Sequence, residues 1–280
     1  GAVAFTEGRK AVADARMMLR ILNYARTFGI LLVQHAEEPS LASGGCMNEG
    51  ETATRLGLPG ILPAAETMMI ERDLRLVEAT GGRYHVAQIS CAGSVAVIRR
   101  AKAAGLPVTC GVAAHHFALN EIAVGDYRTF AKTSPPLRTE DDRRAIVDAI
   151  ADGAVDVIVS GHDPRDQESK RLPFAQAAHG VVGLETTLAL ALELHHNGGV
   201  GLVRLLHALS TAPATLLGLP GGQLNPGSPA DLIVIDIDRP WRIDATRFRG
   251  KAKNSPFDGR PAQGRVVRTV VGGQTVFEAD

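Results

Sequence analysis

The feature that most constrains this chain is the alternation of short apolar runs with longer segments of helical period. Runs at Gly1–Phe5, Ile30–His35, Arg83–Ser90, Pro107–Ala113 and Val155–His162 read as strands. Between and after them, Lys10–Phe28, Ala64–Thr80, Ser94–Ala104, Thr139–Asp152 and Leu184–His195 read as helices. Shorter helices are predicted over Val200–Leu206 and near Pro213–Leu217. Strand and helix repeating in this way predict βα units on a parallel sheet. Gly29, Gly81 and Gly105 stand where helices should stop. Past Leu219 the texture changes. A turn-rich joint (Gly221, Gly222, Pro226, Gly227, Pro229) leads to Asp231–Asp236, and Arg265–Val270, Gly272-Gly273 and Gln274–Phe277 read as a hairpin. The expected division is residues 1–219, a partial βα barrel, and residues 220–280, a small β-rich subdomain. Five parallel strands cannot close a barrel of eight. Gly1 also falls inside an apparent buried strand, so the missing strands are expected from upstream sequence or from another chain.

Composition removes several classes of function. The 30 basic and 30 acidic residues cancel, so no nucleic-acid or membrane-surface partner is expected. No apolar run approaches the ~18 residues needed to span a bilayer. Cys46, Cys91 and Cys110 are odd in number and lack CxxC spacing, which predicts reduced thiols and a cytoplasmic location.

In βα barrels the chemistry sits at the C-terminal ends of the strands. Those ends here carry Thr6-Glu7, His35, Gln88, His115-His116 and Gly161-His162-Asp163. Imidazoles and carboxylates at successive strand ends converge on the barrel axis and suit a metal. Yet Gly161 stands where a metal-binding or proton-moving carboxylate is expected, so the last strand looks like an active-site strand without its carboxylate.

These residues resemble class I dihydroorotases of the amidohydrolase superfamily, from the family's fourth barrel strand onward. The matching blocks are Gly1–Thr6, Gly44–Gly50, Leu56–Ile61, Ala65-Glu66, Arg72-Asp73, His115-His116, Pro135–Arg138, Gly180–Glu185 and Asn254–Phe257. The resemblance implies a (β/α)8 TIM-type metallohydrolase barrel, of which strands four to eight lie here, with a C-terminal β-rich subdomain. It implies zinc-assisted opening and closing of a cyclic amide, with an Asp of the eighth strand shuttling the proton.

The family's positions carry over unevenly. Its paired His of the first strand fall outside this chain. The Phe-Thr-Asp-Asp-Gly stretch becomes Phe5-Thr6-Glu7-Gly8, one residue shorter, leaving Glu7 as the candidate metal carboxylate. His35 matches a zinc ligand. The sixth-strand pattern His-x-x-His-x-Ser becomes His85-Val86-Ala87-Gln88-Ile89-Ser90, so Gln88 replaces a His ligand with a poor one. Three residues apart on a regular strand, His85 and Gln88 should point to opposite faces. Gly161 replaces the proton-shuttling Asp, Arg165 the final substrate-contacting His, and Ser134 the substrate-binding Asn before Pro-Pro-Leu-Arg. Ser134 and Arg165 are therefore the candidate substrate-binding residues. Asp163 is a displaced alternative for the lost carboxylate.

A set reduced to His35 and Glu7 predicts weak zinc binding or none. The implied function is a non-catalytic structural or regulatory partner of aspartate carbamoyltransferase, or a homo-oligomer. The alternatives are an active zinc-dependent dihydroorotase interconverting N-carbamoyl-aspartate and dihydroorotate, or another cyclic-amide hydrolase such as an allantoinase or hydantoinase. Elsewhere Arg138 reads as a structural salt bridge, Glu185 as a carboxylate favoured by its own helix N-terminus, and His195-His196 as C-terminal capping. The charged stretch Asp163–Arg171 reads as a solvated loop over the pocket, and Met17-Met18 and Met68-Met69 as core.

Overall fold

In the computed structural model, which describes residues 1–279, five strands build one parallel sheet. They are β1 (Ala4–Thr6), β2 (Leu31–Gln34), β3 (Arg83–Val86), β4 (Val108–Ala113) and β5 (Val157–Val159), neighbours in that order. The central strands are buried on both faces, which is why β2 and β4 are largely apolar instead of alternating, with Gln34 and Thr109 their polar members. The main helices are α1 (Ala15–Thr27), α2 (Ala64–Thr80), α3 (Ala92–Ala103), α4 (Glu140–Ala151) and α5 (Thr187–His196). Their apolar stripes close over the sheet in one core that includes Leu22, Ile70, Tyr84, Val86, Ile98, Val112, Ile150 and Ile158.

Local chemistry sets the helix ends. α1 starts at Ala15, five residues later than the sequence pattern suggests. Asp14 caps it by accepting from the Met17 N–H, while the Arg72 guanidinium binds the carbonyls of Val12 and Ala13 and holds that stretch out of the helix. Of the paired methionines, Met18 and Met69 are core while Met17 and Met68 are exposed, since adjacent helical residues cannot share a face. After Gly201 the two predicted short helices are one stretch, Leu202–Leu206 and Ala212–Leu217 joined by a π-turn at His207–Thr211. Pro213 has no N–H to give back to the preceding turn, and the register opens there.

The last 50 residues make a separate antiparallel sheet of β6 (Leu232–Arg242), β7 (Pro261–Val271) and β8 (Gln274–Glu278). Gly272 and Gly273, both at positive φ, form the two-residue turn between β7 and β8. Between β6 and β7 the chain returns to the barrel. Ile243 and Phe257 enter the core, and Arg260 pairs with Glu193 of α5 at 2.7 Å.

A buried polar hub explains several of the matched blocks. Glu66 accepts from the Ser90 N–H (2.8 Å), the Ser90 hydroxyl and the Ser94 hydroxyl (2.5 Å). Arg138 donates to Ser90 Oγ (3.1 Å), Asn48 Oδ1 (2.8 Å) and the Ile61 carbonyl (2.6 Å). Asn48 and Thr52 in turn donate to Glu121. Arg138 is thus a hydrogen-bonding strut; among the described residues no carboxylate lies in salt-bridge contact with it.

Candidate active site

At the C-terminal ends of the strands lies a cavity of about 360 Å³, lined among others by Arg9, His35, His85, Gln88, His115, Ser134, Gly161, His162 and Asp163. Of the candidates read from the sequence, His35, Gln88, Ser134 and Gly161 are brought together here. Glu7 is not among the lining residues. It sits on the exposed turn after β1, where Thr6 Oγ1 accepts from the Gly8 N–H and turns the shortened segment outward. Arg9 reaches the cavity instead.

Arg165 also departs from the expectation. Its Nε donates to the His179 carbonyl at 2.7 Å and its Nη2 to Asp163 at 3.1 Å, so it braces the loop and faces a different surface cleft. Asp163 does line the cavity, but Arg9 (2.9 Å) and Arg165 hold its carboxylate. Burial pushes that carboxyl up from its ordinary value, against the pull of the neighbouring cations. Asn254 fastens the same loop, donating to the carbonyls of Asp163 (3.2 Å) and Gly180 (3.1 Å) and accepting from the Arg165 N–H. The stretch from Asp163 is therefore ordered, and Gln167–Arg171 is a short helix capped by Asp166.

His35 leaves the end of β2, and Glu37 follows two residues later. His35 Nε2 lies 3.1 Å from Ser134 Oγ and 3.4 Å from the Glu37 carboxylate, and Ser134 donates to Glu37 at 2.8 Å. Burial alone would raise the Glu37 carboxyl, but hydrogen bonds from His35 and Ser134 outweigh it and hold the group below its usual value. Glu37 was missed in the sequence. Its i,i+2 spacing from His35 at a strand exit was the available signal.

The sixth-strand pair corrects a second expectation. β3 stops at Val86, so His85 and Gln88 both line the cavity despite their three-residue spacing. His85 Nδ1 lies 2.7 Å from Thr109 Oγ1, and burial lowers its imidazole to about 4. The Gln88 carbonyl oxygen is buried without a partner, as is His115 Nε2. Burial, helped by His116 beside it, takes His115 well below its ordinary value, so its ring is neutral near pH 7.

The decisive geometry is at Gly161. This residue has φ +57°, and a Cβ there would stand 2.6 Å from His115 Cε1 and 2.8 Å from Ala113 Cβ. The His115 ring fills the space an aspartate would need.

Two other roles also change. Glu185 accepts from the backbone N–H groups of Arg249 (2.8 Å) and Gly250 (3.4 Å), tying down the C-terminal segment instead of serving its own helix. His196 Nε2 lies 3.0 Å from the Ile237 carbonyl and so contacts β6, whereas His195 reaches the Val200 carbonyl just past its own helix.

Zinc requires three or four closely grouped His, Cys or carboxylate ligands. Among the described residues no group of three or more His, Cys, Asp or Glu is placed to hold a metal ion. His35 already shares its Nε2 with Ser134 and Glu37, and Gln88 offers only an amide. These residues do not fit a zinc centre.

A five-stranded parallel βα sheet with its polar cavity at the C-terminal strand ends is the arrangement of part of a TIM-type α/β barrel. Residues 2–276 match the amidohydrolase family, and the chain belongs to it. It is 44% identical over 281 residues to a protein of Anaplasma phagocytophilum (strain HZ) named dihydroorotase, covering 100% of this chain and 63% of that one. It is 45% identical over 282 residues to a protein of the same name from Anaeromyxobacter dehalogenans (strain 2CP-1), covering 100% and 65%. The chain thus spans just under two thirds of these curated relatives. Among solved structures it is similar to the L-hydantoinase (dihydropyrimidinase) of Arthrobacter aurescens, with a TM-score of 0.88 and 28% identity over 99% of this chain and 65% of that one. The dihydropyrimidinase of Brevibacillus agri NCHU1002 shares the fold at a TM-score of 0.86 and 23% identity, over 98% and 63%.

Proposed function

We propose that this chain is a dihydroorotase-like component of de novo pyrimidine biosynthesis whose metal centre has eroded. On this reading it serves as a non-catalytic structural or regulatory partner of aspartate carbamoyltransferase. One observation carries the reading: His115 occupies the space beside Gly161 that the proton-shuttling carboxylate would need. A site that had lost one ligand by drift would keep room for its return. Here the neighbour has filled the room, Glu7 has turned outward and Gln88 has replaced a ligand. The proposal includes a cytoplasmic location, supported by three free, buried cysteines. No helix among the described residues is long and apolar enough to cross a membrane.

A second reading, an active zinc-dependent dihydroorotase interconverting N-carbamoyl-aspartate and dihydroorotate, is favoured by the 44% identity to a protein of that name. Another cyclic-amide hydrolase is the third, favoured by the L-hydantoinase likeness. The assembly role is tested by mixing the full-length protein with aspartate carbamoyltransferase of the same organism and measuring mass by analytical ultracentrifugation. A stoichiometric complex is expected; two independently sedimenting species would overturn it.

A further inference from the structure

We propose a second binding site, for a nucleoside polyphosphate, in the groove between α5 and the C-terminal sheet. The groove encloses about 960 Å³, within the range of small-molecule sites, and lies where two structural layers meet. It shares no residue with the strand-end cavity.

Four arginines line it, Arg242, Arg247, Arg249 and Arg265. None of their guanidinium groups is in ion-pair contact with a carboxylate among the described residues, although Asp244, whose carboxyl the Thr246 hydrogen bonds hold below its ordinary value, has Arg247 near enough to add to that pull. Two are pre-positioned by aromatic rings: Arg249 lies 5.4 Å from the centroid of Phe277, and Arg265 5.6 Å from that of Trp241. The Trp241 ring is itself fixed, because its Nε1 donates to the Gly264 carbonyl at 3.0 Å. A guanidinium stacked on a ring loses little further freedom on binding, and its N–H edge stays open to a bidentate phosphate.

Four carboxylates share the groove, each held in place through one of its oxygens. Glu185 and Asp258 accept from backbone N–H groups, Asp244 from Thr246, and Glu278 pairs with Arg268 at 2.5 Å. A single carboxylate would occupy one guanidinium, whereas a polyphosphate can engage several at once. Leu188 and Phe248 add an apolar surface on which a base can lie.

Calorimetric titration of the full-length protein with ATP, inorganic triphosphate and adenosine tests the site. ATP should bind with a dissociation constant on the order of 100 µM or tighter, triphosphate at least ~10-fold more weakly, and adenosine not measurably. The double variant Arg249→Gln, Arg265→Gln should weaken ATP at least ~10-fold with an unchanged circular dichroism spectrum. Should that protein not fold, Arg247→Gln, an exposed side chain, gives the same readout. Absence of ATP binding, triphosphate binding as tight as ATP, or unchanged affinity in the folded variants would each overturn the proposal.

Discussion

The buried hub around Arg138 and the cavity around Gly161 are both polar, and both lie among residues that match the family, yet their polar groups are satisfied to different degrees. In the hub Glu66, Ser90, Asn48, Thr52 and Glu121 are hydrogen-bonded to one another or to Arg138. In the cavity Gln88 Oε1 and His115 Nε2 have no partner, whereas in the hub only Arg138 Nη2 lacks one among the described residues. Stability holds the hub in place, because each member removed would strand its neighbours in a dry interior. At the cavity, unpartnered polar atoms line an otherwise packed frame.

The largest effect expected from this contrast is on acid stability. Burial lowers His85, His116 and His179 to about 4, against an ordinary value of 6.5. The unfolded chain therefore takes up protons at a higher pH than the folded one. The stability these groups contribute should be complete above about pH 6.5 and should fall as pH drops towards 4, by roughly 2–4 kcal/mol per unit in mid-window. Urea denaturation across that range checks it, and His179→Asn should flatten the slope. A flat profile would mean that the imidazoles around the cavity are as well solvated as surface ones.

Next in size, Arg138→Leu should cost about 3–5 kcal/mol, since it leaves Asn48 Oδ1, the Ile61 carbonyl and Ser90 short of a donor. A loss under ~1 kcal/mol in equilibrium unfolding would deny the hub its structural role. A smaller effect separates strain from crowding. Gly153 and Gly161 both have positive φ, but a Cβ at Gly153 meets nothing within 4 Å whereas one at Gly161 meets His115 and Ala113. Gly161→Ala should therefore cost about 1–3 kcal/mol more than Gly153→Ala. Equal costs would show that His115 does not crowd the Gly161 position. Smallest of all, Gln88→His alone should leave zinc affinity nearly unchanged, because the Gly161 position stays closed; a large gain in isothermal titration would show an otherwise intact centre.

Much of the fold was legible because parallel sheets are buried on both faces and write themselves as apolar runs between helical segments. The Gly272-Gly273 hairpin was legible for a similarly local reason. The boundaries and orientations that failed depend on distant partners. α1 starts late because Arg72, 59 residues from Ala13, claims the carbonyls before it. Arg165 faces away from the cavity because the His179 carbonyl and Asp163 hold it, and Glu7 because its turn closes on Thr6. Within the site, pattern named His35, Gln88, Ser134 and Gly161, which the structure brings together. It could not reveal that His115 stands against the Gly161 position, since that contact crosses from the end of β4 to the end of β5.

The central claim is that this strand-end site no longer performs metal-assisted ring chemistry. Its most direct test is a dihydroorotate-forming assay on gently purified full-length protein, with zinc counted on the same sample. The account predicts no turnover above background and well under one zinc per chain. Clear turnover with about two zincs per chain, the loading of a two-metal site, would contradict it.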